Sequence, residues 1–134
     1  MEEAFYIFFT ANSGKSPVKI TAENFPAAVT KAIEQKVDLS SADFTGEHFH
    51  RFDFSNGKLN NADFSCSAFY ECQFQNADLS GAEFTDTGFW ECDFEKASFQ
   101  NADLYQTAFV NCNMHGCDLS LAKNLSSAVF SPED

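Results

Sequence analysis

The side chains that could do chemistry in this chain recur at fixed intervals. Cys72, Cys92 and Cys112 stand 20 residues apart, and so do the acids Asp43, Asp63, Glu83 and Asp103. Asp53 with Asp93, and Asp78 with Asp118, share the same register. Carboxylates can act as general acids and bases, and thiolates as nucleophiles or zinc ligands. Those chemistries need different groups converging on one point. Paired acids in a glycosidase would break a pattern, whereas these follow one. The sequence has no Gly-rich phosphate loop, no nucleophile–base motif and no Cys or His at zinc spacing. His48 and His50 could join a metal beside Cys or Asp, but Cys66 reads as outward and alone. The expectation is no enzyme, no cofactor and no metal site.

What positions these residues is a period of five. From Leu39 to Leu119 every fifth residue is large and apolar, 17 positions without a miss. Five fits neither a helix nor a strand, so it marks an internal repeat. Two residues before each large position stands a usually small one, such as Ala62, Ser67, Cys72 and Ala77, and these types nearly recur every 20 residues. The physical reading is a coil of four five-residue sides stacked on the next coil. Like side chains then form ladders: Phe49/Phe69/Phe89/Phe109, Phe54/Phe74/Phe94/Met114 and Cys72/Cys92/Cys112.

Units such as NADFS, NADLS, GAEFT, NADLY and GCDLS closely resemble the pentapeptide-repeat family over about residues 37–130. The resemblance implies an all-β solenoid, a right-handed quadrilateral β-helix of about four coils. The large residues would point in with the small ones beside them.

Composition narrows the partners. Phe makes up 17 of 134 residues, and 11 of those are repeat centres. Acids outnumber bases 20 to 8, for a net charge of −12. Direct binding to nucleic acid relies on Lys and Arg, so a basic protein partner is favoured instead. Residues 1–36 carry four acids and four bases, which places the whole −12 on the repeat. The start, MEEAFYIFF, carries acids where a signal peptide carries bases, and no apolar run approaches a membrane span. With five cysteines, three on an inward ladder, the expectation is reduced core thiols in a cytoplasmic protein.

Before the repeat, residues 4–10 and Val18 to Ala22 read as a hairpin with turn residues between Asn12 and Pro17. Asn24 reads as the N-cap of a helix to about Gln35, with Phe25, Ala28, Val29, Ala32 and Ile33 on one face. Residues 1–36 thus form a β-β-α unit that either caps the first coil or makes a contact of its own. Beyond Leu119 the register slips. Leu121, Leu125, Val129 and Phe130 either cap the last coil or join the mate of a homodimer, and residues 131–134 are a tail.

The coil's sides differ. Three carry the acids just before the large residue. The fourth carries Ala68, Gly88 and Ala108 there, with Tyr70, Trp90 and Val110 after its Phe ladder, flanked by Glu71 and Glu91. Outward aromatics in a row fit a partner or dimer contact. Four coils span roughly 20 Å at ~4.8 Å per strand, and ~20 Å of B-DNA carries about 12 charges. The resemblance supplies a specific version: several pentapeptide-repeat proteins mimic duplex DNA and bind DNA gyrase or topoisomerase IV. The rival readings are a scaffold using the Tyr70/Trp90 side, or an inhibitor of another DNA-binding protein, such as a defence nuclease.

Overall fold

The computed structural model describes residues 4–8 and 18–131. The end of the expected first strand (Phe9, Thr10), the Asn12–Pro17 turn and the tail beyond Ser131 lie outside them. Strands β1 (Ala4–Phe8) and β2 (Val18–Ala22) pair antiparallel. Helix α1 (Phe25–Glu34) follows, with the Asn24 side chain accepting the Ala27 amide at 2.9 Å. The free first-turn amide explains this start, and Pro26 suits a position where no amide partner is needed. Ala28, Val29 and Ala32 are buried, and the Phe25 ring meets Phe44 at 5.7 Å. The helix therefore packs on the first coil and shares its apolar core. No described helix is long and apolar enough to cross a membrane.

From Val37 the chain winds into a parallel β-solenoid of about four turns. Each five-residue side ends at a corner. From Lys36 to Gly116 every fifth residue has positive φ, between 53° and 80°. On three sides the corner is a closed turn: the amide three residues after the large residue returns to its carbonyl, as from Gly57 to Phe54 at 3.0 Å. Positive φ at the third residue alone makes this a type II turn. Gly46, Gly81 and Gly116, and Asn56, Asn61, Asn76, Asn101 and Asn111, supply many of these corners, since both residue types tolerate left-handed backbone.

The fourth side is extended. β3 (His48–His50), β4 (Ala68–Tyr70), β5 (Gly88–Trp90), β6 (Ala108–Val110) and β7 (Val129–Ser131) form a parallel five-stranded sheet in that order. Partners are 20 residues apart until the last pair, Phe109 with Phe130, which is 21 apart. The extra residue is the slip expected after Leu119. It is taken up around the short 3-10 turn at Leu125–Ser127.

Inside, the Phe rings stack coil on coil. Phe49, Phe69, Phe89 and Phe109 follow at 5.3, 4.9 and 5.1 Å, with planes within 16°. Neighbouring columns meet edge-on, as Phe69 and Phe74 do at 5.4 Å and 73°. Both geometries suit the ring quadrupole. The small inward residues also satisfy backbone carbonyls. Ser67, Thr87 and Thr107 donate to Phe44, Phe64 and Phe84 at 2.6–2.7 Å. Cys72, Cys92 and Cys112 donate weakly to Phe49, Phe69 and Phe89 at 3.4–3.5 Å. Cys72 and Cys92 are buried, Cys112 is half-buried and Cys66 is exposed.

Candidate partner-binding surfaces

The acids fall on the sides read from the sequence, but they are not equally close. Asp43, Asp63, Glu83 and Asp103 are bridge partners on successive coils, and Lys123 closes the column. Asp53 and Asp93 are separated by Gln73, and Asp78 and Asp118 by Ser98. Only the first column is acidic on four consecutive coils.

Most of these carboxylates have a second task. The Oδ1 of Asp63 accepts the amide two residues on, from Ser65, at 2.9 Å. The same bond runs from Asp43 to Thr45, Asp53 to Ser55, Asp78 to Ser80, Asp93 to Glu95, Asp103 to Tyr105 and Asp118 to Ser120. These are Asx turns, in which a short side chain mimics the backbone of a turn. Asn113 does the same for His115 at 3.0 Å, so the bond needs an oxygen and no charge. Glu83, one carbon longer, makes no such bond among the described residues. The Ser120 hydroxyl and amide hold the Asp118 carboxyl below its ordinary value, as the Thr45 hydroxyl and amide do for Asp43. Sequence reasoning saw the acids and missed this role. The recurrent Asp or Asn three residues before many of the corners was the available signal.

The aromatic side is the extended sheet. His50 stacks on Tyr70 at 4.7 Å, and Tyr70 on Trp90 at 4.9 Å, with planes within 12°. Tyr70, Trp90 and Val110 are half-buried. Trp90 leans back over Gly88, where a Cβ would fall inside the indole ring's envelope. At the adjoining corner the Arg51 Nε meets the Glu71 carboxylate at 3.1 Å, and Glu91 holds the equivalent place one coil on.

At the far end, Leu121, Leu125, Val129 and Phe130 are all exposed. Phe130 stacks on Phe109 at 4.9 Å and thereby covers one face of that column. Between Asn111 and Ser131 the chain has one acid, Asp118, and one Lys, Lys123, against seven net negative charges on the stretch from Glu71 to Val110 before them.

Among the described residues no three His, Cys, Asp or Glu side chains converge to hold a metal. A cavity of about 350 Å³ between α1 and the first coil contains the Lys58–Asp38 pair at 3.7 Å. The Cys92 thiol is pushed up, first by the neighbouring Cys112 and Cys72 thiols and then by burial, which makes it a poor nucleophile.

A coil of four five-residue sides, with stacked large residues inside and a left-handed corner every fifth residue, defines a pentapeptide-repeat protein. A family model matches residues 27–119, more than half of the chain, and the chain belongs to that family, the SV2A/B/C luminal domain. No curated protein matches it in sequence. Among solved structures it is similar to Rfr23, a pentapeptide repeat protein from the cyanobacterium Cyanothece 51142. The match has 13% identity and a TM-score of 0.54, and covers 75% of this chain and 96% of that one. It is also similar to full-length QnrB1, a plasmid-mediated fluoroquinolone resistance protein, at 24% identity and a TM-score of 0.42, over 53% of this chain and 38% of that one. A pentapeptide repeat protein of the Arabidopsis thaliana thylakoid lumen gives 27% identity and a TM-score of 0.38, with 63% of each chain covered. The Rfr23 likeness supports the shared fold.

Proposed function

We propose that this chain is a non-enzymatic protein-binding module whose acidic side occupies the DNA-binding surface of a DNA-handling protein such as DNA gyrase or topoisomerase IV. The observation that carries this is the column Asp43–Asp63–Glu83–Asp103, four acids on successive coils. Three of the four accept the backbone amide two residues on, from Thr45, Ser65 and Tyr105. Carboxylates already fixed lose little side-chain entropy on meeting Lys and Arg, and their field steers a basic partner onto the rod.

One copy is short for this task. About four coils at ~4.8 Å give roughly 20 Å, or about six base pairs. A second copy joined end to end would double the length. The exposed Leu121, Leu125, Val129 and Phe130 lie on a rung where Asp118 and Lys123 cancel, so two acidic chains can meet there without strong repulsion. The unpaired thiols fit a reducing cytosol.

The test is binding to purified DNA gyrase over a salt series, using wild type and an Asp63→Asn/Glu83→Gln/Asp103→Asn variant. The two Asn residues keep the turn bond and remove only charge. The reading expects affinity to fall steeply with salt, to weaken in the variant and to compete with duplex DNA. No binding, or binding indifferent to salt and variant, overturns it.

A further inference from the structure

We propose that Cys112 is a peroxide-oxidised thiol and that Cys92, one coil before it, closes on it as a disulfide. The site lies inside the coil and does not involve the acidic column.

The inward column supplies the pair. Cys72, Cys92 and Cys112 hold the same slot on three successive coils, tied by backbone bonds from Asp93 to Cys72 and from Asn113 to Cys92, both 3.0 Å. Each thiol donates to the carbonyl of the Phe 23 residues earlier, so the three side chains leave the backbone alike. A rung spacing of ~4.8 Å falls within the roughly 4.4–6.8 Å between Cα atoms that a disulfide spans.

Access selects one member of the column. Cys72 and Cys92 are 1% and 2% exposed, whereas Cys112 is half-buried. Cys112 lines a cavity of about 230 Å³ with Phe109, Met114 and Phe130, which has room for hydrogen peroxide. The thiols outside the column have no thiol on a neighbouring rung. Cys66 has Gly46 and Asp86 there, and Cys117 has Ala97. Among the described residues, Cys112 alone combines an opening with a second thiol on the adjacent coil.

The chemistry balances with hydrogen peroxide as the oxidant. The Cys92 thiol beside it holds Cys112 below its ordinary value, which favours the attacking thiolate. That thiolate takes one peroxide oxygen, the O–O bond breaks and hydroxide leaves, giving a sulfenic acid. The Cys92 sulfur then attacks the Cys112 sulfur. The S–S bond forms, the S–O bond breaks, and the oxygen departs as water with the Cys92 proton. Two thiols and one peroxide become one disulfide and two waters, the sulfurs losing the two electrons that the peroxide gains. Cys112 is itself the leading cause that keeps Cys92 protonated, and its oxidation removes that cause.

The experiment treats the full chain with hydrogen peroxide at low protein concentration, so that an end-to-end mate leaves the opening exposed. Remaining thiols are capped in urea and the peptides mapped without reductant; Lys96 lets trypsin separate the two cysteines. The proposal expects a Cys92–Cys112 link, a loss of two hydrogens in intact mass, and full reversal by dithiothreitol. Cys66→Ser/Cys117→Ser should keep the link. Cys92→Ser should lose it and leave Cys112 as a sulfenic acid that dimedone traps. Cys112→Ser should leave Cys92 reduced. Ser suits such a slot, since Ser67 holds the equivalent one in the neighbouring column and donates to the Phe44 carbonyl at 2.6 Å. Should Cys92→Ser fail to fold by circular dichroism, Cys112→Ser decides. The proposal is overturned by oxidation confined to Cys66 or Cys117, by no oxidation of Cys112, or by Cys92 oxidising as fast in Cys112→Ser as in wild type.

Discussion

The edge of the Trp90 indole reaches back over Gly88, two residues earlier on the same strand, and the absence of a Cβ there is what makes room for it. The neighbouring coils carry Ala68 and Ala108 at the paired positions, so the backbone itself accepts a methyl group. The constraint is the ring. Gly88→Ala should swing the indole outward, moving Trp90 emission to the red and raising its quenching by acrylamide. The thermal midpoint should change little, since the gain from a stiffer unfolded chain, about 0.4–1 kcal/mol, offsets part of the crowding.

The Asx bond and the charge can be separated at Asp63, whose Oδ1 accepts the Ser65 amide at 2.9 Å. Asp63→Ala should cost about 1 kcal/mol in urea unfolding. Asp63→Asn should stay within a few tenths, because Asn113 already makes this bond.

The core columns should tolerate truncation very unequally. Phe89 is fully buried between Phe69 and Phe109 and touches Phe74, Phe84 and Phe94 edge-on. Phe89→Ala should cost about 4 kcal/mol. Phe130 is 43% exposed and stacks on Phe109 alone among the described rings. Phe130→Ala should cost only about 1 kcal/mol in the same denaturation experiment.

Acid should weaken the coil in a defined window. Asp38 is held below its ordinary value of 3.8 by the Ser40 hydroxyl and amide and by Lys58, and Asp43 by the Thr45 hydroxyl and amide. Carboxylates with depressed folded pKa values stabilise the protein above the unfolded pKa, and that stability is lost as pH falls through the folded pKa. The thermal midpoint should therefore fall below pH 3.8, less steeply for Asp38→Asn/Asp43→Asn than for wild type.

Thiol labelling should follow burial. Cys66 is exposed at a corner and should react with iodoacetamide first. Cys72 and Cys92 are buried and should react only on unfolding, with Cys92 further protected by its reluctance to ionise. Mass spectrometry of the labelled peptides, with and without urea, reads the order.

Much of this was legible because side-chain period and backbone period coincide. The run of large residues from Leu39 to Leu119 predicted which atoms face inward, and the 20-residue recurrence predicted the rungs seen between Phe69 and Phe89. The Asn24 cap and the helix after it were equally readable, since capping is local. The double use of the aspartates was harder to see, because one residue type serves both a turn and a charged surface. The unequal columns were hidden too. Asp53 and Asp93 look like neighbours in a list of acids, yet Gln73 stands between them once the chain is wound.

The left-handed corner at every fifth residue has a consequence for how such a chain can change over time. A deletion of one residue inside the coils would move each later corner onto a residue facing the core and bring every Phe out of its column. Only a duplication or loss of 20 residues, the interval between Phe69 and Phe89, leaves corners, carbonyl ladders and rings in phase. Evolution of this body is thus restricted to whole coils, with substitution free to proceed on the outer positions. The one-residue offset between Phe109 and Phe130 occurs at the last described rung, where no further described coil has to stay in step.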